Sequence, residues 1–228
     1  MRRMILSILL ILAAIVVSSI PLFQRRHLNA ETTKVVEEFL SSPDKGDTPY
    51  AELYAAMLEY NEALMGEQRH LLTDPWSYEQ TSFDLMEYGI EGGVFGVLDI
   101  PDIELSMPVY LGATNANMAK GAVHLSNTSL PIGGMDTNSV IAGHRGYNGA
   151  DYFRHLDKLK NGSTVHLTNL WETLSYKVVD IQIIEPSDIQ KIYVQEGRDL
   201  LTLLTCHPYA SGGKQRLVIY CERTNGGT

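Results

Sequence analysis

Thr202-Leu203-Leu204-Thr205-Cys206-His207-Pro208-Tyr209, a short polar loop, and then Lys214-Gln215-Arg216-Leu217-Val218-Ile219-Tyr220-Cys221 form the stretch whose reading decides the fold. Leu200 to Thr205 is an apolar, threonine-bearing run bounded by Gly197 and Pro208, too short for a helix of its own and therefore a strand. Tyr209-Ala210-Ser211-Gly212-Gly213 is turn chemistry, and the run after it alternates as a returning strand does. Such a hairpin puts Cys206 at the end of one strand, roughly opposite Arg216 near the start of the other, on one rim of a sheet. A thiol facing a fixed cation is a place for a thiolate, because nearby positive charge favours the ionised form. A buried structural cysteine beside a surface arginine fits the same residues, and the hairpin alone leaves both readings open.

Counting outward from that pair, Cys221 falls opposite Leu201, five residues from Cys206. At ~3.3 Å per residue this separates the sulfurs by about 16 Å, beyond disulfide reach. Both cysteines are expected to be free thiols, with Cys221 a small core residue.

Upstream of the hairpin, short β-runs separated by turns continue back to about Gly93. Strands are expected near Gly93–Ile100, Ile103–Val109, Ala122–Leu125, Asn138–Gly143, Thr164–Thr168, Thr173–Ile184, Asp199–Cys206 and Gln215–Glu222. Short helical turns are expected at Asn115–Lys120, Ala150–Leu156 and Ser187–Ile192. Eight short strands with few helices predict a mainly β fold, a closed eight-stranded barrel. No repeat, Walker loop or zinc-ligand spacing is present, and no cofactor or metal is expected.

Before the barrel, Met4 to Phe23 is an apolar run of 20 residues, flanked by Arg2 and Arg3 on one side and Arg25 and Arg26 on the other. It is long enough to span a bilayer, and an uncleaved signal anchor is the preferred reading over a cleaved signal. The rest is then expected outside the cytoplasm. Glu31 to Leu40 has helical spacing. Leu53, Ala56, Met57, Tyr60 and Leu64 form one apolar helix face, after Thr48-Pro49 and before Gly66. From Glu67 to Gly89 periodicity is lost around Asp74-Pro75-Trp76, an acid–proline–aromatic cluster suited to a surface anchor or to a lid. The expected division is 1–30 anchor, 31–66 helices, 67–89 lid loop, 90–224 barrel and 225–228 tail. Four of the 18 basic residues precede the first acid, Glu31, leaving 14 against 27 acids. So acidic a domain argues against a nucleic-acid partner.

A nucleophilic thiol needs a proton-transfer partner and a group that holds an oxyanion. Of seven histidines, His27, His70 and His155 lie in segments where solvated side chains are expected, His166 lies within a strand, and His207 is adjacent to Cys206 and so faces the other way. His124 and His144 remain. His144 ends the strand Ser139–Gly143 at a barrel rim, 62 residues before Cys206. A lone histidine at a strand end is more often structural than catalytic, and spacing alone does not separate the two.

Taken together, these residues resemble the sortases, membrane-anchored cysteine transpeptidases of Gram-positive bacteria. Thr202-Leu203-Leu204-Thr205-Cys206 is similar to the family's TLxTC signature, with Arg216 ten residues later and Ala142-Gly143-His144-Arg145-Gly146 like its histidine segment. Pro131-Ile132-Gly133-Gly134, Asn138-Ser139-Val140-Ile141, Phe153, Leu156-Asp157-Lys158-Leu159 and the Asp74-Pro75-Trp76 cluster resemble the class C, pilin-polymerising branch. The resemblance implies that Cys206 attacks the Thr–Gly carbonyl of an LPxTG-like signal. His144 then transfers protons, Arg216 holds the oxyanion or substrate backbone, and Thr205 belongs to the substrate-binding set. It also implies a lid in which Asp74 pairs with Arg216 and Trp76 covers Cys206. A lysine amine of another pilin subunit would be the acceptor, on the outer face of the cell membrane. The branch usually carries a C-terminal transmembrane helix. The sequence ends at Gly226-Gly227-Thr228, so the expectation is either a longer chain or an N-terminal segment acting as sole anchor.

Overall fold

The computed structural model describes residues 2–41, 50–65 and 83–224. Its elements in order are helices α1 (Arg2–Ser41) and α2 (Ala51–Met65), strands β1 (Val94–Ile100) and β2 (Leu105–Leu111), a short helix α3 (Asn115–Met118), and strands β3 (Ala122–His124), β4 (Thr137–Ala142), β5 (Thr164–Thr168), β6 (Thr173–Ile184), β7 (Asp199–His207) and β8 (Gln215–Arg223). The eight strands close into a barrel in the order β1-β2-β3-β4-β7-β8-β6-β5. The expected barrel is therefore the observed fold. Strand β2 starts two residues later than expected because Pro101–Ile103 forms a 3-10 turn that ends on Glu104 in the left-handed region, φ 52°.

Two neighbours are parallel, β2 with β3 and β4 with β7. The other six pairs are antiparallel. A parallel pair requires a crossover rather than a tight turn. Between β4 and β7 that crossover is the whole stretch 143–198, which carries β5 and β6 as well.

Strands β4, β7 and β8 are buried on both faces, which is why Leu200–Leu204 reads as a continuous apolar run rather than an alternation. Leu201, Leu203 and Ile219 join the barrel interior with Leu98, Ile141 and Phe153. Leu204, Val218 and Val140 face outward under Ile192 of the 3-10 turn Ile189–Ile192. Thr202, buried among them, donates its hydroxyl to Asn138 Oδ1 at 2.6 Å, and Asn138 Nδ2 donates to the Ile192 carbonyl at 2.9 Å. That chain of bonds fastens the turn over the β4–β7 seam. In contrast β5 alternates half-buried and buried residues, as a strand with one wet face should.

α1 runs without a break from Arg2 to Ser41, through Pro21. The two separate segments expected on either side of residue 30 are one helix, because Gln24 to Ala30 contains no glycine or proline to end it. Beyond the apolar half, Val36 is buried and Leu28 packs against the barrel interior cluster. The face predicted on α2 docks as expected: Leu53 and Met57 are fully buried with Leu111, Leu130 and Ile132 at one pole of the barrel. Gly66 and the Asp74-Pro75-Trp76 cluster lie outside the described residues. The 3-10 turn Leu85–Tyr88, closed by Gly89 at φ 75°, ends the segment that follows them.

Candidate active site

Cys206 and Arg216 are direct cross-strand partners at the loop end of the β7–β8 hairpin, and Leu201 pairs with Cys221. The register counted from the loop holds residue for residue, and both cysteines are free. Directly opposed side chains lie on the same face of an antiparallel pair. Gly213, in the left-handed region at φ 77°, brings the loop back over both. A Cβ there would stand 3.2 Å from Cys206 Sγ and 3.2 Å from an Arg216 guanidinium nitrogen. The sulfur and that nitrogen therefore both lie within 3.2 Å of one point and are at most about 6.4 Å apart. The Arg216 guanidinium is held by the Gly213 carbonyl at 2.5 Å and the Gln215 carbonyl at 3.1 Å.

His144 arrives from the other side. Strand β4 pairs with β7 in parallel up to Ala142 opposite Leu204. Two further bonds carry the register past the strand end: Gly143 N–H donates to the Leu204 carbonyl at 3.1 Å, and Thr205 Oγ1 donates to the Gly143 carbonyl at 2.8 Å. Continued by one step, that register sets His144 beside Cys206. The three residues thus stand at the ends of three adjacent strands, β4, β7 and β8, with the thiol in the middle. A Cβ at Gly143 would lie 2.9 Å from the Phe153 ring, so the turn that presents His144 closes only with glycine there. The imidazole is half-buried, stacked on Tyr147 at 4.7 Å between centroids and 9° between planes. Tyr152 meets it edge-on at 6.3 Å. Burial between these rings pulls the His144 pKa down, since a charged imidazolium is poorly solvated there.

Thr205, expected among the substrate-binding residues, is fully buried, with its hydroxyl spent on the Gly143 carbonyl. In the structure it ties β4 to β7 and presents no surface to a substrate. His124, the other histidine left by elimination, is also fully buried, and its Nε2 donates to the Ser129 carbonyl at 3.0 Å. Desolvation lowers its pKa to about 4. It is a neutral core histidine of β3, remote from the thiol. His166 bonds Ser175 Oγ at 2.9 Å within the β5–β6 pair. His70, Asp74, Pro75 and Trp76 lie outside the described residues.

Sequence reasoning passed over Arg145. Its side chain is only 5% exposed. One guanidinium nitrogen donates to the Cys206 carbonyl at 3.3 Å and to His207 Nδ1 at 2.7 Å, and the other pairs with Asp157 at 2.8 Å. A buried arginine must find anionic or carbonyl partners. The signal available was Arg145 inside the glycine-bounded turn Gly143–Gly146, with one carboxylate twelve residues on. A cleft of about 810 Å³ opens between α1 and the barrel, and none of Cys206, His144 and Arg216 lines it. No cysteine or histidine lines it, and the thiol is at the strand ends.

A thiol, an imidazole and a permanent cation at the ends of three adjacent strands are the residue types that acyl transfer through a thioester calls on: a nucleophile, a proton carrier and a holder for the oxyanion. The class that the barrel and this site define is thus a cysteine-dependent acyl-transfer enzyme. The sortase domain model matches residues 98–224, more than half of the 228 residues, and the chain belongs to the sortase family. It is 29% identical over 136 residues to sortase D of Bacillus subtilis, covering 58% of this chain and 65% of that protein. To sortase A of Staphylococcus aureus it is 33% identical over 118 residues, covering 51% and 56%. The chain thus spans about half to two thirds of the length of these relatives. Among solved structures it is similar to sortase C1 of Group B Streptococcus pilus island 1, with TM-score 0.76 and 29% identity over 86% of this chain and 93% of that one. Streptococcus pneumoniae sortase C gives TM-score 0.74 and 31% identity over 85% and 97%.

Proposed function

We propose that this sortase is a pilin-polymerising transpeptidase of the class C type, anchored in the membrane by the apolar half of α1, with its barrel on the outer face. The observation that carries the chemistry is the Cys206–Arg216 cross-strand pair with His144 in register on the neighbouring strand. The Cys206 thiolate attacks the Thr–Gly carbonyl carbon of an LPxTG-like signal, while Arg216 holds the oxyanion. The C–N bond breaks as His144 donates a proton to the departing glycine amine, leaving a thioester on Cys206. The ε-amine of a pilin lysine then attacks that thioester, His144 takes its proton, and an amide forms as the thiolate is released. The similarity to pilus-related sortase C structures favours this acceptor over a wall-stem amine. By the same resemblance, Asp74-Pro75-Trp76 acts as a lid, Asp74 towards Arg216 and Trp76 over the thiol.

The test is incubation of the chain with an LPxTG-like peptide and two competing amines, a pilin lysine peptide and a wall-stem mimic, with products followed by mass spectrometry. A thioacyl mass on the parent but not on Cys206→Ala, and joining to the lysine peptide, are expected. Arg216→Lys should slow turnover by on the order of 100-fold, as loss of an oxyanion donor does. Release of free acid alone, or transfer to the wall-stem amine alone, would refute the pilin reading.

A further inference from the structure

We infer that the catalytic mouth itself rests on the bilayer surface, against anionic phospholipid headgroups, with α1 as the strut that holds it there. This rests on the membrane span just proposed for α1 and extends it from the anchor to the barrel.

The apolar run of α1 ends at Phe23, which is 73% exposed. Within the next turn, Arg25 pairs with Asp151 at 2.6 Å, and the Pro21 carbonyl lies 3.2 Å from where a Cβ on Gly149 would stand. Gly149 and Asp151 belong to the stretch between His144 and Phe153, one wall of the mouth. At 1.5 Å of rise per residue, that wall stands within about one helical turn of the end of the apolar run. From there α1 climbs the barrel flank past Leu28 and Val36, while α2 packs on the opposite pole with Leu111, Leu130 and Ile132. The mouth is therefore the membrane-facing pole.

Its charge agrees with that placement. Residues 25–26, 144–160 and 206–216 hold eight lysines and arginines against two aspartates, in a chain of net charge −9, and Glu185 adds one further acid at this rim, accepting from Gln215 Nε2 at 2.9 Å. Both aspartates are in ion pairs, Asp151 with Arg25 and Asp157 with Arg145. An anionic surface attracts this pole and repels the acidic remainder, which orients the barrel. At the rim Tyr209, 49% exposed, carries the Arg154 guanidinium over its ring at 4.5 Å. A tyrosine–arginine pair of this kind suits the headgroup layer, where one end of each side chain is wet and the other apolar.

The experiment uses the full chain in vesicles of phosphatidylcholine and phosphatidylglycerol carrying bromine on the upper acyl chain. Tryptophan is introduced at the mouth by Tyr209→Trp or at the far pole by Met135→Trp. Quenching above that of the unmodified chain should be at least about twofold stronger for the mouth position, as for a residue in the interfacial belt. Flotation of each variant reports insertion of α1 separately. A chain that floats with equal quenching at both positions overturns the mouth contact and leaves the anchor standing, whereas a chain that does not float overturns both. Hydrogen exchange on the unsubstituted chain repeats the comparison. Amides of 147–151 and 209–213 should slow when phosphatidylglycerol is added to phosphatidylcholine vesicles, with 133–136 unchanged. Equal rates in the first two segments would again overturn it.

Discussion

Thr205 donates its hydroxyl to the Gly143 carbonyl at 2.8 Å, one residue before Cys206 on one strand and one residue before His144 on the other. This bond closes the β4–β7 seam at the point where the regular ladder has stopped. With the Gly143 N–H bond to the Leu204 carbonyl, it sets the relative position of the two strand ends that carry Cys206 and His144. Thr205→Val keeps the shape and strands a buried carbonyl without its donor, a change that costs about 1–3 kcal/mol. We expect that loss in urea unfolding, with kcat for a sorting peptide falling more than KM rises. Thr205→Ser, which keeps the hydroxyl, should restore most of both; a fully active valine variant would refute the positional role.

Arg145 holds the Cys206 carbonyl, the His207 ring and Asp157 together through one planar group. A lysine carries the same charge but cannot present the fork. Arg145→Lys should therefore lose about 1–3 kcal/mol of stability, because the acceptors it leaves are desolvated. Its turnover should fall by about tenfold as the cysteine end of β7 loosens. Asp157, 51% exposed on its side chain, contributes far less. Asp157→Asn should behave close to the parent in both thermal melts and peptide turnover. An Arg145→Lys variant as stable and active as Asp157→Asn would contradict the clamp.

The buried His124 makes the fold acid-sensitive. Its folded pKa of about 4 lies below the ordinary 6.5. Between those values the unfolded chain takes up a proton that the folded chain refuses. The stability it supports is present above pH 6.5 and lost as pH falls towards 4, by about 1.4 kcal/mol per unit and about 3 kcal/mol across the window. His144, also lowered by burial, adds in the same direction. Urea midpoints measured from pH 7 to pH 4 should fall accordingly, and His124→Gln should remove most of the slope. An unchanged slope in that variant would assign the acid sensitivity elsewhere.

The hairpin was legible because its information is local. A nine-residue loop and flank set which residue of β7 opposes which of β8, so Cys206 with Arg216, and Cys221 with Leu201, follow from counting. The strands were legible for a related reason: β-branched and leucine runs between glycine and proline breaks leave little choice of conformation. Three features were not. The strands that carry His144 and Cys206 to one rim are joined by a parallel pairing closed by a crossover longer than fifty residues, and no local pattern encodes which strands become neighbours across such a distance. Arg145 sits in a turn where a charged residue usually means solvent, and only its contacts with the Cys206 carbonyl, the His207 ring and Asp157, brought together by the fold, enclose the guanidinium. His124 and His144 both stand near barrel strands, and burial, a property of the assembled core, is what separates an inert imidazole from one at the rim.

From its residues alone this chain was committed to a mainly β barrel, an apolar N-terminal run, a thiol facing a cation, and motifs with a family likeness, since each depends on neighbours within one or two turns of chain. Which histidine stands beside the thiol, that Thr205 serves the seam, that α1 continues unbroken along the barrel, and which pole faces the apolar half of that helix were decided by tertiary structure. Those outcomes depend on strand order, desolvation and contacts between segments over a hundred residues apart, such as Arg25 with Asp151.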